Sequence, residues 1–443
     1  MKTKNFFAAL LIVAFAASCS KDYVFDSPEL ISENSELKSA SPHVKIAVVS
    51  DIHYFDQSLL PQNLAGMEEF QYYMAQDPKL LDLGPAILDK VISDLLAEHP
   101  HVVFIPGDLT KDGEKISHKA FAKILKKLTD NGIKVFVIPG NHDINNPHSY
   151  SFAEQTSTPT ITADEFASIY NNFGYKNSIR DKNSLSYINK INGKLWILGI
   201  DACKYSQNTT KPIVSGAIKS ETMNWIQQNM IEARQKSITV LAMMHHGITE
   251  HYAGQNTLDG GYVVDDYQAT ATALSDAGIN VVFTGHYHAN DIAELKIGDK
   301  TLYDIQTGSL VSWPSPYRMM KIDGDMLNID TRIVTSINSS LPEGMDFVTY
   351  SHLFQQQRFY GYFYYALQLK YGVPEFLAQF GAPLFQKAIM AHYAGDESLS
   401  PEEMGNIEAF ANYSPDLALL RGALYSLWTD LNPKDNTITL KVK

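Results

Sequence analysis

Cysteine is nearly missing: the 443 residues hold two, at positions 19 and 203. A disulfide framework is therefore excluded. Positive charge is also short. The net charge is −13 and no basic run or stripe appears, which argues against a nucleic-acid polymer as partner. An acidic protein can still bind phosphate where metal ions supply positive charge locally. Long apolar runs are absent from the body of the chain, so no membrane span is predicted there. The hydrophobic content of 45% is ample for a core, and the length allows one large domain or two to three smaller ones.

The first residues read as an address. Lys2 and Lys4 form a basic start and Phe6 to Phe15 a short apolar stretch. Ala16-Ala17-Ser18 then precedes Cys19, which looks like a bacterial lipoprotein cleavage site, although Ala16 stands where a large aliphatic residue is usual. An ordinary secretory signal cleaved nearby is the competing reading, and both export the protein. The expected layout is a signal peptide over 1–18, a tether over 19–42, a main domain over 43–340 and a mainly helical domain over 341–443. A lipid on Cys19 would anchor the protein to a membrane of the bacterial cell envelope and leave Cys203 without a partner.

Hydrophobic patterning gives the fold class. Strands are predicted at 44–50, 101–105 and 135–138, separated by helices over 85–98 and 115–130, the rhythm of a mostly parallel sheet. A short helix over 164–172 follows. Strands near 185–188 and 195–200 are joined around Asn192-Gly193, and the alternation resumes with helix 220–236, strand 238–244, helix 266–277 and strand 280–284. Short strands at 301–306, 317–322 and 326–334 close the series. The predicted class is α/β: two sheets packed face to face with helices outside. Helices near 348–371, 374–392 and 415–431 form the extension, the first carrying a dense aromatic run, Phe359 to Tyr365. That run reads as a packing face; a stacking platform for a nucleobase is the alternative. Residues 54–78 show no clean period and read as a lid or as a surface excursion.

Five apolar strands run directly into polar, metal-binding side chains. They deliver Asp51-Ile52-His53, Gly107-Asp108, Gly140-Asn141-His142-Asp143, His245-His246 and Gly285-His286-Tyr287-His288. Each cluster alone is weak, because a Gly-Asp at a strand end is more often a turn. Together, carboxylate oxygens and imidazoles suit Mn, Fe or Zn, and the set exceeds what one tetrahedral ion uses. Two ions sharing a bridge are the reading.

These five clusters resemble the full signature of the calcineurin-like metallophosphoesterases over residues 44–335. Pro106-Gly107-Asp108-Leu109-Thr110 and Gly140 to Pro147 are similar to the branch related to bacterial class III cyclic-nucleotide phosphodiesterases. The resemblance implies that Asp51, His53 and His288 hold one metal, Asn141, His245 and His286 the other, and that Asp108 bridges them. It implies that His142 faces the phosphate as electrostatic clamp or general acid, that Asp143 orients His142 from behind, and that His246 is a supporting or pocket residue. The implied reaction is hydrolysis of small phosphodiesters, cyclic nucleotides foremost, by a hydroxide shared between two divalent or trivalent ions. A phosphomonoesterase or nucleotidase is the near rival, and a surface-anchored binding protein using the aromatic helices the distant one. His118, His148 and His251 read as solvated or structural with substrate contact as the alternative, Tyr205 as packing or pocket wall, Trp196 as core. His43, His99, His101, His352 and His392 belong to no constellation.

Overall fold

The computed structural model describes residues 43–442 with the exception of 343. The leader, Cys19 and the tether lie outside these residues. The strands are β1 His43–Val48, β2 Val102–Pro106, β3 Lys134–Ile138, β4 Tyr150–Ser151, β5 Thr156–Ser157, β6 Ile179–Arg180, β7 Tyr187–Lys190 and β8 Leu195–Ile200. They continue as β9 Thr239–Met244, β10 Val281–Thr284, β11 Ile292–Ile297, β12 Lys300–Gln306, β13 Pro316–Asp323, β14 Met326–Ile333 and β15 Thr437–Lys441.

One sheet runs β15-β14-β13-β1-β2-β3 and the other β11-β12-β10-β9-β8-β7-β6, with β4 and β5 a separate pair. The centre of each is parallel, β1-β2-β3 in the first and β8-β9-β10-β12 in the second. Strands buried on both faces can be apolar at every position, and β9 shows why. Leu241 and Met243 face the space between the sheets, while Val240, Ala242 and Met244 face the helices Ser220–Gln235 and Tyr267–Asp276. Between the sheets Phe104 meets Phe283, ring centroids 5.1 Å apart. The expected two-sheet sandwich with flanking helices is the architecture observed.

Several elements depart from the patterning. The stretch 54–78 contains a helix, Leu64–Met74, capped by the side chain of Asn63, whose Phe70 and Met74 pack on Phe55 and Phe152. Its apolar residues keep no clean period because only that small satellite core needs covering, and Leu64, Met67 and Tyr72 are left exposed. Helix Pro401–Ala411, with its Ser400–Glu403 capping box, strands β11 and β15 and the two-residue strands β4, β5 and β6 were not predicted. β15 pairs antiparallel with β14, so the chain crosses the expected 340/341 boundary and returns to the sandwich at its end.

The helices Phe347–Leu369, Glu375–Ala394 and Ala418–Leu427 share a second core with Tyr252, Tyr287 and Ala289 of the sandwich. The aromatic run divides: Phe359 is buried in that core, while Tyr362 and Tyr365 are exposed. Trp196 is buried under helix Ser220–Gln235. Among the described residues no helix is long and apolar enough to cross a membrane.

Candidate metal centre

Parallel strands present their C-terminal ends on one edge, where an α/β sheet leaves room for a ligand. β1, β2 and β3 reach that edge from one sheet, and β9 and β10 from the other. At the strand ends the chain must turn sharply and re-aim its side chains. Asp51, His53, Asp108, His286 and His288 all have left-handed backbone, with φ between 43° and 73°. Asp and His tolerate that region better than most residues, yet each costs about 1–3 kcal/mol. Strain of this kind persists where surrounding structure enforces it. Two glycines allow the close approach: a Cβ on Gly140 would stand 2.1 Å from Asp108 Oδ1, and one on Gly285 2.2 Å from Asp51 Oδ2.

The side chains gather into two groups that share one member. Ligand atoms of Asp51, His53, Asp108 and His288 lie within 4.8 Å of one another, and so do those of Asp108, His245 and His286. His53 Nε2 is 3.1 Å from His288 Nε2 and 3.7 Å from Asp108 Oδ2; His288 Nε2 is 3.5 Å from Asp51 Oδ1. On the other side His245 Nε2 lies 3.3 Å from Asp108 Oδ2 and 3.0 Å from Asn141 Oδ1. His245 Nδ1 donates to the carbonyl of Pro106 at 2.9 Å, which leaves Nε2 as the ligand atom.

All seven side chains fit a metal-bound pair. Ring nitrogens face each other and a common carboxylate, and His53 Nδ1 is buried without a partner. Burial holds His53 and His286 well below the ordinary histidine range, which keeps them neutral, the form that binds metal. Burial acts likewise on His245, but the Asp108 carboxylate overrides it and lifts that imidazole to about 9.

His142 stands beside this cluster, partly exposed, its ring 5.0 Å from that of His53. Its backbone N–H donates to Asp108 Oδ1 at 3.0 Å, and its Nδ1 contacts Asp112 Oδ1 at 2.8 Å, so Nε2 faces outward. The expected partner behind His142, Asp143, is elsewhere. Its oxygens accept from the backbone N–H groups of Gly140, Leu109 and Thr110 and from the Thr110 hydroxyl. Asp143 is saturated by the loop after β2 and ties it to the loop after β3; Asp112 makes the contact assigned to it. Asp112 is fixed in turn by buried Lys111, which lies 4.4 Å from the centre of the Tyr73 ring, and by Asn146 Nδ2 at 3.2 Å. Burial alone would raise the Asp112 carboxyl, but Lys111 and His142 hold it well below the usual carboxylate range.

Tyr73 belongs to the helix Leu64–Met74, so the stretch after the first motif supports the wall of the site. His246 Nε2 contacts the carbonyl of Val214, and its ring packs 4.4 Å from that of His286, a supporting position. His118 is buried between the Tyr170 hydroxyl and the Asp143 carbonyl, His148 is exposed, and Tyr205 donates to Asp201. His251 lies away from the centre, against Asp291 and Asp304. Two rings at the centre carried no sequence signal: Tyr262 packs 4.7 Å from His286, and Tyr393, from helix Glu375–Ala394, 6.4 Å from His288.

The family model for the calcineurin-like phosphoesterases matches residues 44–290. The chain belongs to that family. As a calcineurin-like phosphoesterase it is classed with the metal-dependent hydrolases of phosphoric esters. It is 42% identical over 69 residues to a protein of Coxiella burnetii described as a probable cyclic nucleotide phosphodiesterase, a match covering 14% of this chain and 27% of that relative. Among solved structures, a dimetal phosphatase from Danio rerio aligns with TM-score 0.49 and 13% identity, over 66% of this phosphoesterase and 96% of that chain. A purple acid phosphatase from yellow lupin (Lupinus luteus) aligns with TM-score 0.39 and 11% identity, over 66% and 52%.

Proposed function

We propose that the protein hydrolyses small phosphodiesters, cyclic nucleotides foremost, at a centre of two metal ions. The observation that carries this reading is that Asp108 belongs to both ligand groups. Asp51, His53 and His288 would hold one ion with Asp108, and Asn141, His245 and His286 the other. When bound, two such cations supply positive charge against the phosphoryl oxygens and an activated water as nucleophile.

The protein's own part is positioning and proton transfer. Asp112, on Nδ1, fixes the His142 ring and turns Nε2 toward the open side. From there Nε2 donates a proton to the leaving oxygen, and the ring's charge steadies the phosphoryl group. Tyr262 and Tyr393 add aromatic faces beside the ligand histidines, which suits an organic substituent such as a nucleoside. The short match to the Coxiella burnetii relative supports the same substrate class.

Hydrolysis of bis-p-nitrophenyl phosphate against p-nitrophenyl phosphate with Mn²⁺ supplied tests the reading. It is then refined with 2′,3′- and 3′,5′-cyclic nucleotides. Preference for the diester is expected. Faster monoester cleavage would make the protein a nucleotidase-like enzyme, and metal-free, inactive protein would favour a binding module. The lipid anchor on Cys19 and the envelope address belong to the proposal too, supported by the pattern of residues 2–19. Cys19→Ala should then move the protein out of the detergent phase on partitioning.

A further inference from the structure

Beyond the metal centre the chain continues past His288 into Asn290-Asp291 and β11, and the C-terminal region covers this turn. Three of its stretches converge there: Glu397 just past helix Glu375–Ala394, Asp430 past helix Ala418–Leu427, and Asp435 ahead of β15. One oxygen from each of Asp291, Glu397, Asp430 and Asp435 lies within 4.8 Å of every other. Asp291 and Asp435 are wholly buried, Glu397 is 8% exposed, and Asp430 is half-buried.

Carboxylates so close together, out of water, require compensating charge. The protein leaves this incomplete. Asp291 Oδ2, Glu397 Oε2 and Asp430 Oδ1 are buried atoms with no hydrogen-bond partner. The one arginine nearby, fully buried Arg318, directs Nη1 to the Thr331 hydroxyl and the Asp435 carbonyl, and Nη2 to the carbonyls of Gln306 and Asp291. His251 contacts the other oxygen of Asp291. His392 contacts the other oxygen of Glu397 and stops 3.7 Å from Asp291 Oδ2.

We propose that Asp291, Glu397, Asp430 and Asp435 bind a calcium ion that pins the C-terminal region to the phosphoesterase fold. An all-carboxylate set suits a hard cation. Calcium takes about six to eight oxygen ligands from carboxylates, carbonyls and water, whereas magnesium is usually held through one or two carboxylates and keeps several of its waters. Four protein carboxylates gathered at one point fit the first description. Two of the carboxylates are already oriented. Asp435 accepts the backbone N–H of Ile292 at 2.7 Å and of Asp396 at 2.6 Å, and His392 steadies Glu397 as a supporting imidazole steadies a metal ligand. The repulsion such an ion would relieve is visible in the acids: burial and Asp291 push Asp435 up to about 10, and burial and Glu397 push Asp430 to about 7. Shared protons are the other means of relief, and the two differ in what the protein takes up.

The test uses the full chain freed of calcium with EGTA, desalted, then reloaded with its transition metals and titrated with CaCl₂. Element-resolved mass spectrometry should count one calcium per chain beyond the transition metals. The thermal midpoint should climb with calcium and not with equal magnesium. Asp430→Asn, at a half-exposed position that tolerates the amide, should weaken calcium binding at least tenfold while diester hydrolysis in saturating Mn²⁺ stays unchanged. No calcium in the wild-type protein, or equal affinity in the variant, would overturn the proposal. Because calcium is counted directly, that result stands apart from whether the proposed hydrolysis is found.

Discussion

Asp112 and Asp143 lie near the same histidine and do different work, which mutation can separate. Asp112→Asn keeps the fold and the metals but lets the His142 ring turn, so turnover should fall roughly 10–100-fold with metal content unchanged by mass spectrometry. Asp143→Ala strips four donors of their acceptor; leaving buried polar groups unpaired costs about 1–3 kcal/mol each. A large loss of stability in urea is expected before any kinetic effect can be read. Asp108→Ala should lose both metals and all activity, whereas His142→Ala should retain metal and slow turnover roughly 10²–10⁴-fold. His118 gives a pH signature. Burial drops it to about 3 in the folded protein, below the ordinary 6.5, so the unfolded chain takes up the proton first. Stability is complete above pH 6.5 and erodes below it, by about 2 kcal/mol at pH 5 for this one group. His118→Gln should flatten that acid limb in urea titrations at pH 5 and 7.

The strand ends explain how much was legible in the sequence. Apolar runs such as Val102 to Ile105 are long enough to mark a buried strand, and Gly107-Asp108 marks where it stops, so strand and ligand were read together. Asp112 was missed because it sits in a polar loop, Lys111 to Glu114, with no period to single it out; only its fold partner His142 gives it meaning. Asp143 was misassigned for the converse reason. Its neighbour in sequence is His142, but three of its four donors lie 33 and 34 residues away. β15 did carry a signal, since Thr437-Ile438-Thr439-Leu440 alternates polar and β-branched or apolar residues as a half-buried strand does, but it is short and its partner β14 lies about a hundred residues earlier in the chain. The turns themselves can be tested. Gly140→Ala drives a methyl into both the Asp108 carboxylate and the Asp108 backbone nitrogen, so the variant should lose stability in urea and bind metal at least tenfold more weakly, measured by competition with a chromophoric chelator.

At the scale of the molecule, the catalytic fold and the helical region are one structure. Helix Glu375–Ala394 contributes Tyr393 beside His288, and the Asn290 backbone N–H donates to the Tyr393 carbonyl at 3.2 Å. Truncation after residue 340 would bare the core shared by the helices with Tyr252, Tyr287 and Ala289. The truncated protein should be recovered as aggregate or bind a hydrophobic dye strongly, while the full chain does neither. The last strand carries a consequence for synthesis. β14 stays an open edge until residues 437–441 have left the ribosome, so the nascent chain emerges with its first sheet unfinished and an adhesive border exposed. A bulky fusion joined directly after Lys443 would act on the one strand that closes the sheet.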